Sequence, residues 1–422
     1  MSHSLNSTTY IKHIPSLTTF PVELLYRILD QLDSSDILVS FRNVCKRFYT
    51  ITNTYNRYRI KITSTSRKAD IHRVCRLIQP ENVVSCVVIS TIVSAHEITD
   101  RVSLFLSLID IPQFTQLHSL DLFFDMDKLD VKKMMHLIFG VPNLMSLSLR
   151  WRDDGYMCHD AIDLLSSIIV MPSLRKLCLR YIDPKIYRTL RPNQCKLQAL
   201  AIDSCTPNQL CDILYHLPNL RSFSSNDYDS MDETNQIVPS TSFPLLTSLR
   251  LQSLSCLLID QLEILLSFTP LLVHLHIASH RSTLSFLQRL SQWEPSIRDH
   301  LSLLEKFEFY IFTADYDYEN VKDVELIMNS FRTSFWLEEK RWYVTCQYIN
   351  NDIRPGLVLR SPIISNVDFP DNFSSNIISY SASTSKNDRN KVTMNSTWIA
   401  RLNLSAMNEA ISSNEVCANS IH

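Results

Sequence analysis

The chain has 422 residues, 45% of them hydrophobic, with 41 basic against 43 acidic side chains and a formal charge of −2. That hydrophobic share can bury a core, and so even a charge balance offers no electrostatic footprint for nucleic acid or a membrane surface. Only three glycines occur, Gly140, Gly155 and Gly356, so neither glycine-rich phosphate loop nor the G-x-S-x-G elbow can be written, and no nucleotide cofactor is expected.

After residues 1–18, expected as a flexible tail, the run from Thr19 to Leu32 reads as a helix. Pro21 sits where a missing N–H costs nothing, and Glu23 favours the positive helix end. Leu24, Leu25, Ile28, Leu29 and Leu32 make one broad apolar face. Asp33-Ser34-Ser35-Asp36 breaks the helix and caps a second, begun by Ile37, Leu38 and Phe41, and Val44-Cys45-Lys46-Arg47-Phe48-Tyr49 leads into a third. Three short helices cannot hide all these apolar groups among themselves, so a surplus face implies a partner.

The pattern Phe-Pro-x-Glu-Leu-Leu-x-x-Ile-Leu-x-x-Leu, then Asp-Ile, then Val-Cys-Lys-x-Phe, resembles the F-box over residues 19–60. Phe20 stands where the family usually has Leu, and Phe48 where it has Trp; both keep a large apolar group. The resemblance implies docking to the adaptor subunit of a cullin-based ubiquitin ligase and, through it, to the cullin. It makes Pro21, Leu24, Leu25, Ile28, Leu32, Val44, Cys45 and Phe48 adaptor-contact candidates.

Residues 61–80 are expected as a linker helix. Beyond them the template L-x-x-L-x-L recurs. Val84-x-x-Val87-x-Ile89 is a weak first copy, followed by copies that start at Leu117, Leu144, Leu174, Leu197, Leu220, Leu246, Leu272 and Leu304, at intervals of 23 to 33 residues. The segments between them fit helices: Val131–Phe139, Ala161–Val170, Gln209–His216, Ile259–Phe268 and Leu284–Trp293. Pro142, Pro172, Pro218 and Pro270 each stop a helix two residues ahead of a template leucine. The expected fold is therefore α/β: a short three-helix unit, then a strand–helix solenoid with a curved parallel sheet over residues 81–312, similar to leucine-rich repeats. An ordinary α/β sheet would instead show near-continuous apolar strands.

With the leucines inward, the third, fifth and seventh template positions face the concave side. They are polar and, around Arg150, Lys176 and Arg180, basic, with Trp151 adjacent and Arg250 further on. Arg and Trp are common interface anchors, so these five are candidates for capturing an acidic or aromatic-bearing segment of a protein substrate.

Other clusters read as structural. Cys195, Cys205, Cys211 and His216 lack the spacing of a zinc finger, and the repeat register puts Cys205 in a core turn. His274 and His276 share a strand face without an evident third ligand, and Asp315-Tyr316-Asp317-Tyr318-Glu319 reads as a solvated loop. No metal and no catalytic constellation is expected. The aromatic run from Phe335 to Tyr348, with strands near Trp342, Val344, Leu357 and Leu359, reads as a cap over residues 313–364. The Ser/Asn-rich stretch 365–422 is expected to be weakly ordered, with one short element at Thr397–Met407. Eleven cysteines without a signal-peptide pattern point to reduced thiols in the cytoplasm or nucleus. Gly140 is placed at a helix C-cap, Gly155 in a loop after a repeat strand, and Gly356 in a turn after Pro355.

Overall fold

The computed structural model describes residues 16–63, 66–88, 104–124, 138–151, 165–179, 195–228, 243–252, 259–279, 284–314, 321–350, 356–361 and 377–384, save positions 106, 244 and 291. The chain divides into two units, Met1–Leu179 and Arg180–His422.

The first unit opens with helices α1 (Val22–Leu29) and α2 (Lys46–Thr54), joined by a wide helical turn at Asp36–Ser40 and a tight one at Phe41–Asn43. Strand β1 (Tyr58–Ile62), helix α3 (Lys68–Leu77) and strands β2 (Val83–Val88), β3 (Ser119–Phe124), β4 (Ser146–Trp151) and β5 (Lys176–Leu179) follow. The five strands pair in chain order and all in parallel.

The second unit holds β6 (Ala199–Cys205), α4 (Pro207–His216), β7 (Ser222–Tyr228), β8 (Ser248–Leu251), α5 (Ile259–Ser267), β9 (His274–Ser279), α6 (Leu284–Leu290), α7 (Glu294–His300) and β10 (Lys306–Ala314). Helix α8 (Val321–Ser330) and strands β11 (Thr345–Asn350), β12 (Gly356–Arg360) and β13 (Ile377–Ser383) complete it. Strands β6 to β10 pair in parallel; β12, β11 and β13 then add antiparallel strands in that spatial order. The architecture is the expected α/β, solenoid-like alternation. Among the described residues no helix is long and apolar enough to cross a membrane.

The repeat register is the cause of this arrangement. From Leu117 on, each copy enters its strand at the third template residue, and the first, fourth and sixth residues are at most 3% exposed. Each buried leucine contributes roughly 1.5–3 kcal/mol relative to exposure. Neighbouring repeats are also stitched through the backbone. The carbonyls of His118, Met145, Gln198, Arg221, Thr247 and Val273, each one residue after the first template position, accept two N–H groups from the next repeat at 2.8–3.0 Å. Asn143 and Asn219 add side-chain bonds to the Thr115 and Cys195 carbonyls, at 2.8 and 2.9 Å. Helix α4 starts two residues before the expected Gln209, because Pro207 fits its first position and Thr206 and Gln209 close a reciprocal capping box.

Several expectations are corrected. The weak first copy is off by one: Val83, Cys86 and Val88 are buried, and Cys86 and Val88 pair with Leu120 and Leu122, so Val84 and Val87 do not occupy leucine positions. Of residues 61–80, expected as a linker helix, Lys68–Leu77 is helical, but Lys61 and Ile62 belong to the strand Tyr58–Ile62, whose burial alternates. In the tail expected to be weakly ordered, Ile377–Ser383 pairs with β11. Trp342 and Val344 precede β11 rather than lying in it, and Gly356 begins β12 instead of a turn. Gly140 does not use the left-handed C-cap: among the described residues no glycine has positive φ, and Arg341 is the single non-glycine that does, at 57°. Gly155, the Asp315–Glu319 run, residues 397–407, residues 131–137 and residues 161–164 lie outside the described residues, while residues 165–169 of the helix expected at Ala161–Val170 are helical.

The last repeat is closed by aromatic packing. Phe307 and Phe309 replace the template leucines of β10. Around them stand Trp293 (5.9 Å between ring centroids from Phe307), Trp342 (5.8 Å from Phe307) and Phe331 (6.2 Å from Phe309), with Trp336 4.9 Å from Phe331. Lys340 Nζ and Trp342 Nε1 donate to the Leu304 and Glu305 carbonyls at 2.9 and 3.0 Å.

Candidate functional site

The helical start of the first unit is held by polar contacts and leaves several apolar side chains exposed. Tyr55 donates to Asp30 Oδ1 at 2.8 Å, and Arg57 reaches the same carboxylate at 3.2 Å. Burial pushes the Tyr55 phenol up, and the adjacent Asp30 carboxylate adds to the rise. Tyr58 donates to the Thr52 carbonyl at 2.7 Å, and burial pushes its phenol up to about 12. The Phe41 and Phe48 rings stack at 4.2 Å. Arg47 donates to the Phe20 carbonyl at 2.6 Å and also to the Thr18 carbonyl, which brings the N-terminal ends of α1 and α2 together.

That geometry sorts the adaptor candidates. Helical spacing puts Leu25 and Leu29 on the inner stripe of α1, both 0% exposed, while Leu24 turns outward at 44%. Ile28, one turn from Leu24, and Leu32 beyond it are half-buried. Pro21 is exposed at the α1 end that Arg47 touches. Val44 is 65% exposed because the third helix does not run through it: Cys45 is extended, with φ −158° and ψ 165°, and α2 starts only at Lys46. Phe48 is 3% exposed, so it and Leu25 support the surface from within instead of forming it. Tyr49, 48% exposed with the Arg42 guanidinium 4.6 Å over its ring, is a further exposed apolar residue and was missed. Its signal was its place beside an inward Phe48, since the next helical residue turns about 100° away.

The strand-face candidates fall in both units. In the first unit, Arg150 Nη2 binds Asp121 Oδ2 of the neighbouring strand at 2.7 Å, so its charge is met internally. Lys176 is exposed on β5. Trp151 pairs by its backbone with Phe124; its side chain, and all of Arg180, lie outside the described residues.

Arg250 lies in the second unit, exposed, within a polar ladder that crosses the repeats. Asn226 donates to Asp203 Oδ1 at 2.9 Å. The Gln252 amide, oriented to satisfy its neighbours, donates to Asn226 Oδ1 at 3.1 Å and accepts from Arg250 Nε at 3.0 Å. His276 stands in register with both Arg250 and Glu308, its Nδ1 3.6 Å from Glu308 Oε2. Lys306 closes the row on Glu308 at 2.7 Å. Burial, helped by Arg250, holds the His276 imidazole below its ordinary range against the pull of Glu308. Burial opposes ionisation of Glu308 too, but Lys306 and His276 together hold its carboxyl below the usual range.

No curated protein matches the sequence. The helical unit does match a known family: residues 17–60, about a tenth of the chain, fit the model of the F-box domain, and they contain the exposed Leu24, Val44 and Tyr49. The N-terminal helical unit is thus similar to the F-box domain.

Proposed function

We propose that the chain is a non-catalytic substrate receptor of a cullin-based ubiquitin ligase. Its F-box domain docks to the adaptor subunit, and its strand arrays hold the protein to be ubiquitylated. The observation that carries the reading is the exposure of apolar side chains in the F-box domain, with Leu24 44%, Tyr49 48% and Val44 65% exposed while Leu25 and Phe48 are buried. Such exposed groups on a small helical unit form an interface when another protein covers them. Catalysis by proximity then needs no reacting group in the chain, because fixing a substrate beside a ubiquitin-loaded enzyme raises its effective concentration.

In this reading residues 19–60 are the docking unit, 81–312 the recognition solenoid and 313–364 its cap, in a protein of the cytoplasm or nucleus. The aromatic closure over Phe307 and Phe309 supports the cap. Co-purification of the adaptor with the full chain, and its loss on Leu24→Asp or Val44→Asp with the melting temperature unchanged, is the expected result. A wild-type chain that captures no adaptor overturns the proposal. Adaptor capture without ubiquitylation of any bound protein marks an interaction scaffold instead.

A further inference from the structure

On the sheet face of the second unit that carries the third, fifth and seventh template positions, Arg360 poses an electrostatic problem. It lies on β12, half-buried, directly opposite Tyr310 of β10 and Thr345 of β11, and directly opposed residues of antiparallel strands point to one face. Tyr310 is 4% exposed. Among the described residues no carboxylate pairs with Arg360, and burial disfavours its charged form. A guanidinium withdrawn from water without a counter-charge costs stability that an arriving anion restores.

The surroundings share the sign. Across β8 to β12 this face carries Arg250, Lys306 and Arg360 against one carboxylate, Glu308, which Lys306 already engages. Arg250 also has no carboxylate partner among the described residues. A second, independent gap lies between the two arginines: His276 Nε2 is buried and has no hydrogen-bond partner among the described residues. Strand spacing of about 4.8 Å and a two-residue step of about 6.8 Å put the Arg250 and Arg360 backbones roughly 16 Å apart. About five residues of extended chain span that distance.

Building on the receptor reading, we propose that this face is an oxyanion-recognition site for the captured protein. Arg360 takes one acidic side chain, and Arg250 takes a second about five residues away on an extended segment. Carboxylate and phosphate oxygens both match the guanidinium fork.

The test presents the full-length chain with two random peptide libraries, one unmodified and one with a fixed phosphoserine. Asp and Glu enrichment from the unmodified library assigns the site to carboxylates; selective retention of the phosphorylated library assigns it to phosphate. Arg360→Gln should weaken the best selected peptide by roughly tenfold or more, as loss of a charge-assisted bond requires. Arg360→Lys should fall between, and Glu308→Gln should tighten binding, a gain that misfolding cannot produce. Selection of neutral peptides, or unchanged affinity in Arg360→Gln, overturns the proposal. Adaptor capture measured on the same variants separates the two readings. Charge-dependent peptide binding without adaptor capture removes the receptor and keeps the site, and adaptor capture with charge-independent binding does the reverse.

Discussion

Leu24 and Leu25 are neighbours in sequence with opposite fates, 44% and 0% exposed, so truncating each probes a different quantity. Leu25→Ala removes a side chain that is wholly inside the unit and leaves a cavity, at a cost of about 2–5 kcal/mol in folding free energy. Leu24→Ala removes one already half in water and should move stability by less than about 0.5 kcal/mol. Adaptor binding reverses the ranking for the folded fraction. Complete burial of a Leu or Val side chain is worth about 1.5–3 kcal/mol, so covering the exposed 44% of Leu24 and 65% of Val44 is worth about 2–3 kcal/mol together. Leu24→Ala with Val44→Ala should therefore weaken the adaptor roughly 30- to 150-fold. Urea unfolding supplies the first axis and calorimetric titration with purified adaptor the second. A double variant that binds normally while Leu25→Ala, corrected for its folded fraction, does not would refute the assignment of α1's outer stripe to the interface.

The remaining expectations concern core, charge and thiols. Trp336 is 0% exposed and its Nε1 has no partner among the described residues. Trp336→Ala should cost about 3–5 kcal/mol in urea unfolding, and Trp336→Phe, which also deletes the unpartnered donor, well under half of that. The native His276 imidazole resists a proton that the unfolded chain accepts below about pH 6.5, so stability should fall as pH drops through that value. Glu308, held below its usual range, keeps its contribution above about pH 4.3 and loses it on further acidification. His276→Gln should flatten the loss of melting temperature between neutral pH and pH 5.5; an unchanged slope refutes the assignment. Burial pushes the Cys75 and Cys211 thiols up to about 11, and the Cys86 thiol up further. Mass spectrometry after alkylation at pH 7.5 should find all three unlabelled in the native protein and labelled in urea.

The leucine positions were legible because burial on one face demands a strict period, and eight successive copies keep it. The first copy was not, because Val83, Val84, Val87 and Val88 supply apolar residues of both parities. A strand that satisfies either register is settled only by its neighbour, and pairing with Leu120 and Leu122 of β3 chose the frame that buries Cys86. Strand β1 carried a readable signal, the alternation Tyr58-Arg59-Ile60-Lys61-Ile62, which the closeness of the helical unit obscured. Among the adaptor candidates the residue types were legible but their sides were not. A helix with apolar residues at both Leu24 and Leu25 has no single inner face until Tyr55, packed against Tyr26 and bonded to Asp30, defines it. The exposure of Val44 depends on the extended Cys45, which helical periodicity does not encode.

The strand face gives the same lesson in electrostatic form. Arg150 and Arg250 look alike in a list of template positions, since each is a cation on a small-residue strand. Cross-strand pairing separates them: Asp121 satisfies the first, and the neutral side-chain amide of Gln252 meets the second. Arg360 belongs to no repeat and reaches this face because β12 reverses direction against β10. A carboxylate at Thr345, directly across from Arg360, would satisfy the guanidinium from within the sheet. Thr345→Glu should therefore stabilise the unit while blocking acidic peptides. Stability and recognition moving in opposite directions is the signature of a binding site whose counter-charge is supplied by its ligand, and a change in which both rise or both fall would show that Arg360 serves the fold alone.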